Sequence, residues 1–148
     1  MERKNLLDLE VYNAVVERIQ KLTPNSAAEW GKMDAAQMMA HCAETIDVAN
    51  GKPLKGTPWY VKLFSGYIKK MVLSDKPYPK NLRTHPQYLM SDPEDFERQK
   101  QRSLNSLKAM IALGRVNSKH SLFGTMTPEE KGWGMYKHLD HHLTQFGV

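Results

Sequence analysis

One cysteine, Cys42, stands among 148 residues, so no disulfide can close within the chain and a reducing compartment is the expected setting. No apolar run approaches the ~18 uncharged residues that a membrane span requires. Nor is there an apolar leader: Met1-Glu2-Arg3-Lys4-Asn5 opens into an acidic amphipathic pattern, and the cytoplasm is the expected location. Alternating strand-like runs and internal repeats are absent. So are helix-turn-helix, zinc-finger and base-stacking motifs, and no nucleic-acid partner is expected even with a pI near 9.3. Acids are scarce in one place above all. From Gly51 to Arg83 only Asp75 faces Lys52, Lys55, Lys62, Lys69, Lys70, Lys76, Lys80 and Arg83, a net +7. The whole chain carries +5, so everything else nets −2.

What is present is an ordinary globular composition, 41% hydrophobic and 25% charged, enough for a single domain over 1–148 with a buried core. Val11, Val15, Ile19 and Leu22 recur at helical spacing and predict a first helix from Leu6 to Leu22, stopped by Thr23-Pro24. Asp34 is a good N-cap for a second helix running to Asn50, with Gly51 as its left-handed terminator. Prolines at 53, 58, 77, 79 and 86 break the next forty residues into loops and leave room for one short helix, Trp59 to Leu73. Trp59, Leu63, Tyr67 and Met71 repeat there at strict i+4 spacing. This stripe is expected to cap the bundle while the lysines form a solvated face. The sharper readings are a lid over a pocket for anionic ligands, a self-association face, or a membrane-surface contact.

Ser91-Asp92-Pro93-Glu94 reads as the start of a third main helix ending at Leu113, with Phe96, Leu104, Leu107 and Ile111 as its apolar stripe. Thr127-Pro128-Glu129-Glu130 is a capping box that opens the last helix, which reaches Phe146. Short connections join helices 1 to 2 and 3 to 4, and a long one separates the middle pair. The expected fold is all-α: a four-helix bundle, up-down-down-up, with a long crossover between helices 2 and 3 carrying a short extra helix.

The last helix concentrates chemistry, since His138, His141 and His142 fall within five residues. At about 100° per residue His138 and His142 lie roughly 40° apart on one face, so both rings can reach one metal ion. The spacing names no third ligand. His41, on a face with Gln37, Met38, Thr45 and Val48, is by itself better read as a core residue. Gln37, Glu44 and Gln145 are the candidates for catalytic roles. The two glutamines lie one turn from His41 and His142, where each would orient a ligand or a water, or make an ordinary buried hydrogen bond. Glu44 would act as a base or accept from a ligand ring, or sit on a solvated edge. His141 is off the row and fits a hydrogen-bonding partner, Cys42 fits core packing, and His85, beside Pro86, fits a structural role.

Several blocks resemble a known family across nearly the whole chain. They are Leu22-Thr23-Pro24, Trp30-Gly31-Lys32-Met33, Ala36-Gln37-Met38-Met39-Ala40-His41, Lys76-Pro77, His120 with Phe123-Gly124, and Tyr136-Lys137-His138-Leu139-Asp140-His141-His142-Leu143-Thr144-Gln145-Phe146-Gly147-Val148. The chain resembles the DinB/YfiT-like superfamily of four-helix-bundle metalloproteins, and within it a domain-of-unknown-function branch of about 150 residues. The resemblance implies a divalent metal held by His41, His138 and His142 with an open coordination position. Zinc or nickel are the leading metals, and ferrous iron would also accept three nitrogens. It further implies a metal-dependent enzyme, a transferase or isomerase using a low-molecular-weight thiol, or a hydrolase-like one, acting on a small-molecule substrate. Lys52, Lys55, Lys62 and Arg83 would then hold the thiol's carboxylates. The alternative is a non-catalytic, dimeric metal-binding or interaction protein, and a homodimer is expected. Two departures fall near the start of the last helix: Ser121 follows His120 where relatives have proline, and Lys131 stands where they have tryptophan.

Overall fold

The computed structural model describes all residues 1–148, and it is mostly helical: six α-helices and one two-stranded ribbon. Helix α1 spans Leu9–Lys21, α2 Ala35–Ala49, α3 Trp59–Leu63, α4 Ser65–Val72, α5 Phe96–Leu113 and α6 Pro128–Gln145. A 3₁₀ turn, Pro86–Tyr88, precedes α5. Strands β1, Ser118–His120, and β2, Gly124–Met126, pair antiparallel between α5 and α6, with Lys119 opposite Thr125. The ribbon was not expected from the sequence. Its turn is organised by His120, whose Nδ1 accepts from the amides of Leu122 (3.1 Å) and Phe123 (3.3 Å) while its ring stacks on Phe123. Ser121, which follows His120, accepts from the Leu54 amide through its hydroxyl.

The two helices that carry the histidines begin where local chemistry sets them. Asp34 and Gln37 form a reciprocal capping box on α2, and Thr127 and Glu130 form another on α6, with Pro128 in the first turn. Gly51 follows α2 at φ 113°, the left-handed terminator expected there. Helix α1 begins three residues later than its periodicity predicts. Leu6 instead turns into the core, its amide bonded to the Gly132 carbonyl, and Asn5 packs so tightly on Gly132 that a Cβ there would overlap it. Helix α5 also starts late, because the Asp95 carboxylate, not Asp92, caps it at the Arg98 amide.

The core gathers Val15 and Ile19 from α1 with Leu22 just past its end, Met38, Met39, Cys42 and Ile46 from α2, Leu104, Leu107 and Met110 from α5, and Leu139 and Leu143 from α6. Helix α2 is its centre: it packs on both α5 and α6, and all but two of its residues are buried. Ser103 of α5 donates to the Met39 carbonyl at 2.8 Å and Asn50 donates to the Ser106 carbonyl at 2.9 Å, fixing α5 against α2. Helix α6 is thereby placed with His138 and His142 against His41.

The expected single helix from Trp59 to Leu73 is broken at Phe64 into α3 and α4, and its facing is a correction. The stripe Trp59, Leu63, Tyr67 points to solvent and caps nothing, while Val61, Ile68, Val72 and Leu73 form the half-buried side. The pair is held at its C-terminal end by α6. Lys137 Nζ donates to the carbonyls of Val72 (3.0 Å) and Ser74 (2.8 Å), and Trp133 Nε1 donates to that of Leu73 (3.0 Å). A buried cation therefore meets the carbonyl end of a helix, where the dipole favours it.

Candidate metal centre

His41 comes from the middle of α2, and His138 and His142 from consecutive turns of α6. Their ring centroids form a nearly equilateral triangle, with 5.0 Å between His41 and His138 and 4.7 Å on each remaining side. One nitrogen from each ring lies within 4.8 Å of the others, and Nε2 of His41 and His138 are 3.0 Å apart. Two nitrogens on one tetrahedral zinc stand roughly 3.3 Å apart, given Zn–N bonds of about 2.0–2.1 Å. The donor set and its spacing fit a divalent ion.

Hydrogen bonds to the opposite ring nitrogens select the tautomers that metal binding needs. His41 Nδ1–H donates to the Tyr88 carbonyl at 2.8 Å, which leaves the Nε2 lone pair for the centre. His142 Nδ1–H donates to Gln145 Oε1 at 2.8 Å with the same result. Gln145 is fixed in turn, since its Nε2 donates to the Trp30 carbonyl at 2.6 Å. His138 alone has no partner at Nδ1. Burial drives all three imidazoles toward the neutral form: His142 falls to about 3, His41 is lowered in spite of its Tyr88 bond, and His138 lies well below its ordinary range. Neutral rings are what a metal ion ligates.

The carbonyl that orients His41 has a supporting chain of its own. His85 Nδ1 accepts from the Gln87 amide (3.0 Å), so its other nitrogen carries the proton and donates to the Thr57 hydroxyl at 2.9 Å. That holds the 3₁₀ turn presenting Tyr88. Gln87 Nε2 donates to Glu44 Oε1 at 2.8 Å and ties the same turn to α2.

Glu44 is thus buried rather than on a solvated edge, and its carboxylate is held by three side chains. Burial alone would raise its carboxyl, but hydrogen bonds from Lys52, Arg102 and Gln87 bring it down to about 2. Gln37 is likewise removed from the centre, because its side chain is spent on the Asp34 capping box and on the Asp92 carbonyl. Of the three candidates for catalytic roles, only Gln145 touches a histidine of the cluster.

Lys52 is engaged by Glu44, and Lys55, Lys62 and Arg83 are exposed. His141 makes no hydrogen bond; its ring meets the edges of Trp30 (5.9 Å) and Tyr78 (5.7 Å). Cys42 packs on Met38 in the core, and burial pushes its thiol well up, so it is an inert side chain. Two features had no signal in the sequence, and a third, Lys131, stood out there only as a departure. The Tyr88 carbonyl is a backbone atom. Lys137 is a cation buried beneath carbonyls. Lys131 is 1% exposed with an unpartnered Nζ, and burial lowers its pKa. Lys131 stands two turns from His138, on the same row of α6.

Fold and cluster together define a helical protein whose interior could hold a metal ion. The chain belongs to the DUF1569 family, described as a protein of unknown function, whose model matches residues 1–147. No curated protein and no solved structure matches it.

Proposed function

We propose that this protein is a metal-dependent enzyme of the DinB-like superfamily, with residues 1–148 forming one domain. In that reading α1, α2, α5 and α6 are the four helices of an up-down-down-up bundle, with α3 and α4 in the crossover. His41, His138 and His142 hold zinc or nickel, with iron as the third choice. The carrying observation is the pair of Nδ1–H bonds, from His41 to Tyr88 and from His142 to Gln145, which point both Nε2 atoms inward.

A divalent ion held by these three histidines would supply Lewis acidity and would favour the deprotonated form of a water or a low-molecular-weight thiol. The protein's own residues do the rest. Tyr88 and Gln145 fix the ring orientations, and burial shields His41 and His142 from bulk water. An anionic group on the substrate or thiol would be met by Lys55, Lys62 or Arg83, which are exposed, rather than by Lys52, which is already paired.

Elemental analysis of untagged protein tests the site: one equivalent of metal is expected, lost in His41→Ala. Turnover of a model electrophile with a small thiol tests the activity. Equal rates in wild type, His41→Ala and His138→Ala would refute it.

The second reading, a non-catalytic dimeric metal-binding or interaction protein, is favoured by one observation, the exposed aromatic side of α3 and α4. Metal removal would then lower the melting temperature without removing any turnover, and sedimentation would show the dimer.

A further inference from the structure

Trp59 is 73% exposed, Leu63 72%, Tyr67 70% and Phe64 60%. Side chains of this size are ordinarily drawn into a core or an interface, and here they lie contiguously on α3 and α4. They are not a core face that failed to pack. The opposite side of the same pair, Val61, Ile68, Val72 and Leu73, is the one turned toward the protein, and Leu73 lies against Gly134 of α6. The mount is firm as well. Besides the bonds from Lys137 and Trp133, Lys69 Nζ reaches both Glu130 (2.9 Å) and the Thr125 carbonyl (3.0 Å). The stripe is held outward by a scaffold with its own reasons to be rigid.

Charge then narrows what can cover it. Lys62 and Lys70 are exposed on the same two helices, and the segment around them nets +7 with Asp75 as its one acid. Asp75 is itself occupied by Arg3. A second copy docking through this face by two-fold symmetry would bring the exposed Lys62 and Lys70 against their own copies with no acid on either helix to answer them, which opposes association. An anionic lipid surface answers both features at once. Trp and Tyr rings settle at headgroup depth, leucine and phenylalanine enter the acyl boundary, and lysine stems reach back to phosphates.

We propose that the α3–α4 face docks the protein on an anionic phospholipid bilayer, with Trp59, Leu63, Phe64 and Tyr67 inserted shallowly and Lys62 and Lys70 on the headgroups. No helix is long and apolar enough to cross a membrane, so the contact is peripheral.

Co-sedimentation of the full chain with vesicles tests it, comparing a 3:1 phosphatidylcholine–phosphatidylglycerol mixture with pure phosphatidylcholine. Binding to the anionic vesicles is expected, at least about tenfold stronger than to the neutral ones, and weakened by 0.5 M salt. The fluorescence of Trp59 should shift to the blue on binding, a shift that Trp59→Phe removes. Lys62→Glu with Lys70→Glu should weaken partitioning by roughly 30-fold or more, on the scale of surface lysines. Leu63→Asp should abolish it without moving the melting temperature, because the side chain is exposed. Failure to bind anionic vesicles, or equal binding to both kinds, overturns the proposal. So does a dimer in the absence of lipid that Leu63→Asp dissociates, which would make a second copy the occupant. Retention on poly-glutamate without vesicle binding overturns it in favour of an acidic protein partner.

Discussion

At the three-histidine centre nearly every polar atom is tied to another, and on the α3–α4 face nearly every large apolar group is free. Two of the three imidazoles have their outer nitrogen fixed, and the fixing groups, Tyr88 and Gln145, are fixed in turn. Trp59, Leu63 and Tyr67 touch solvent instead. The physical logic is common to both. A buried polar group without a partner costs about 1–3 kcal/mol, so interior chemistry must come with scaffolding. An exposed apolar group carries no comparable penalty, so a surface stripe persists without any partner from its own chain. Organisation within the chain is what lets the first region hold a small ion, and its absence is what leaves the second open to solvent.

The largest expected effect falls on the first region. His138→Ala removes one of three nitrogens, and stoichiometric metal should be lost altogether, read by elemental analysis after dialysis. A variant retaining full metal would separate the cluster from any metal function.

Next in size is a pair of opposite sign on α6. Lys137 donates to two carbonyls, so Lys137→Met should cost about 2–3 kcal/mol in urea unfolding, as buried charge-assisted bonds are lost and the end of α4 is left uncapped. Lys131 donates to nothing. Lys131→Met should therefore stabilise the protein by about 1–3 kcal/mol, since an unpaired buried ammonium is replaced by a side chain of similar length. Destabilisation by both would show that Lys131 has a counter-ion.

Gln145→Leu removes the acceptor for His142 Nδ1–H while leaving the ligand in place. Metal affinity should fall roughly 10- to 100-fold, measured by competition with a chelator, while the helix content stays unchanged. An unaltered affinity would mean that the ring is oriented by packing alone.

Acid should act on the same region. In the unfolded chain these histidines titrate near 6.5, and in the folded protein all three lie lower, His142 at about 3. The unfolded state thus takes up protons first, and the stability of metal-free protein should fall as pH drops below about 6.5 and continue falling toward 3. Glu44 adds to the trend further down. Its carboxyl is at about 2 when folded and 4.5 when unfolded, so its contribution is whole above 4.5 and lost as pH approaches 2. Urea midpoints at pH 7.5, 6, 5 and 4 would read this slope, and a flat profile would contradict the burial of the cluster.

Legibility in the sequence follows the range of the interaction that decides each feature. The starts of α2 and α6 are readable because Asp34 with Gln37 and Thr127 with Glu130 each close a box within four residues. The pairing of His138 with His142 on one face is equally local. The start of α1 is not readable, because what pulls Leu6 out of the helix is the Gly132 carbonyl far along the chain. Nor is the role of Glu44, which depends on Arg102 from α5 and Gln87 from a loop. The α3–α4 stripe shows the limit most plainly. Its period is evident in the sequence, but period alone does not say which side the rest of the protein will cover.

The smallest effect is the one that most sharpens the contrast between the regions. Trp59→Ser deletes the largest exposed ring, and if that ring truly rests on nothing in the chain, unfolding stability should change by less than about 0.5 kcal/mol. The same substitution in a core would cost about 3–5 kcal/mol or more. A large loss of stability would show that α3 is packed in solution by the rest of the chain, and the stripe would then be a lid closed over the protein. A negligible change, together with higher solubility, leaves the stripe as a surface whose partner lies outside the molecule. Since the metal content of the variant should also be untouched, a single protein preparation tests the independence of the two regions.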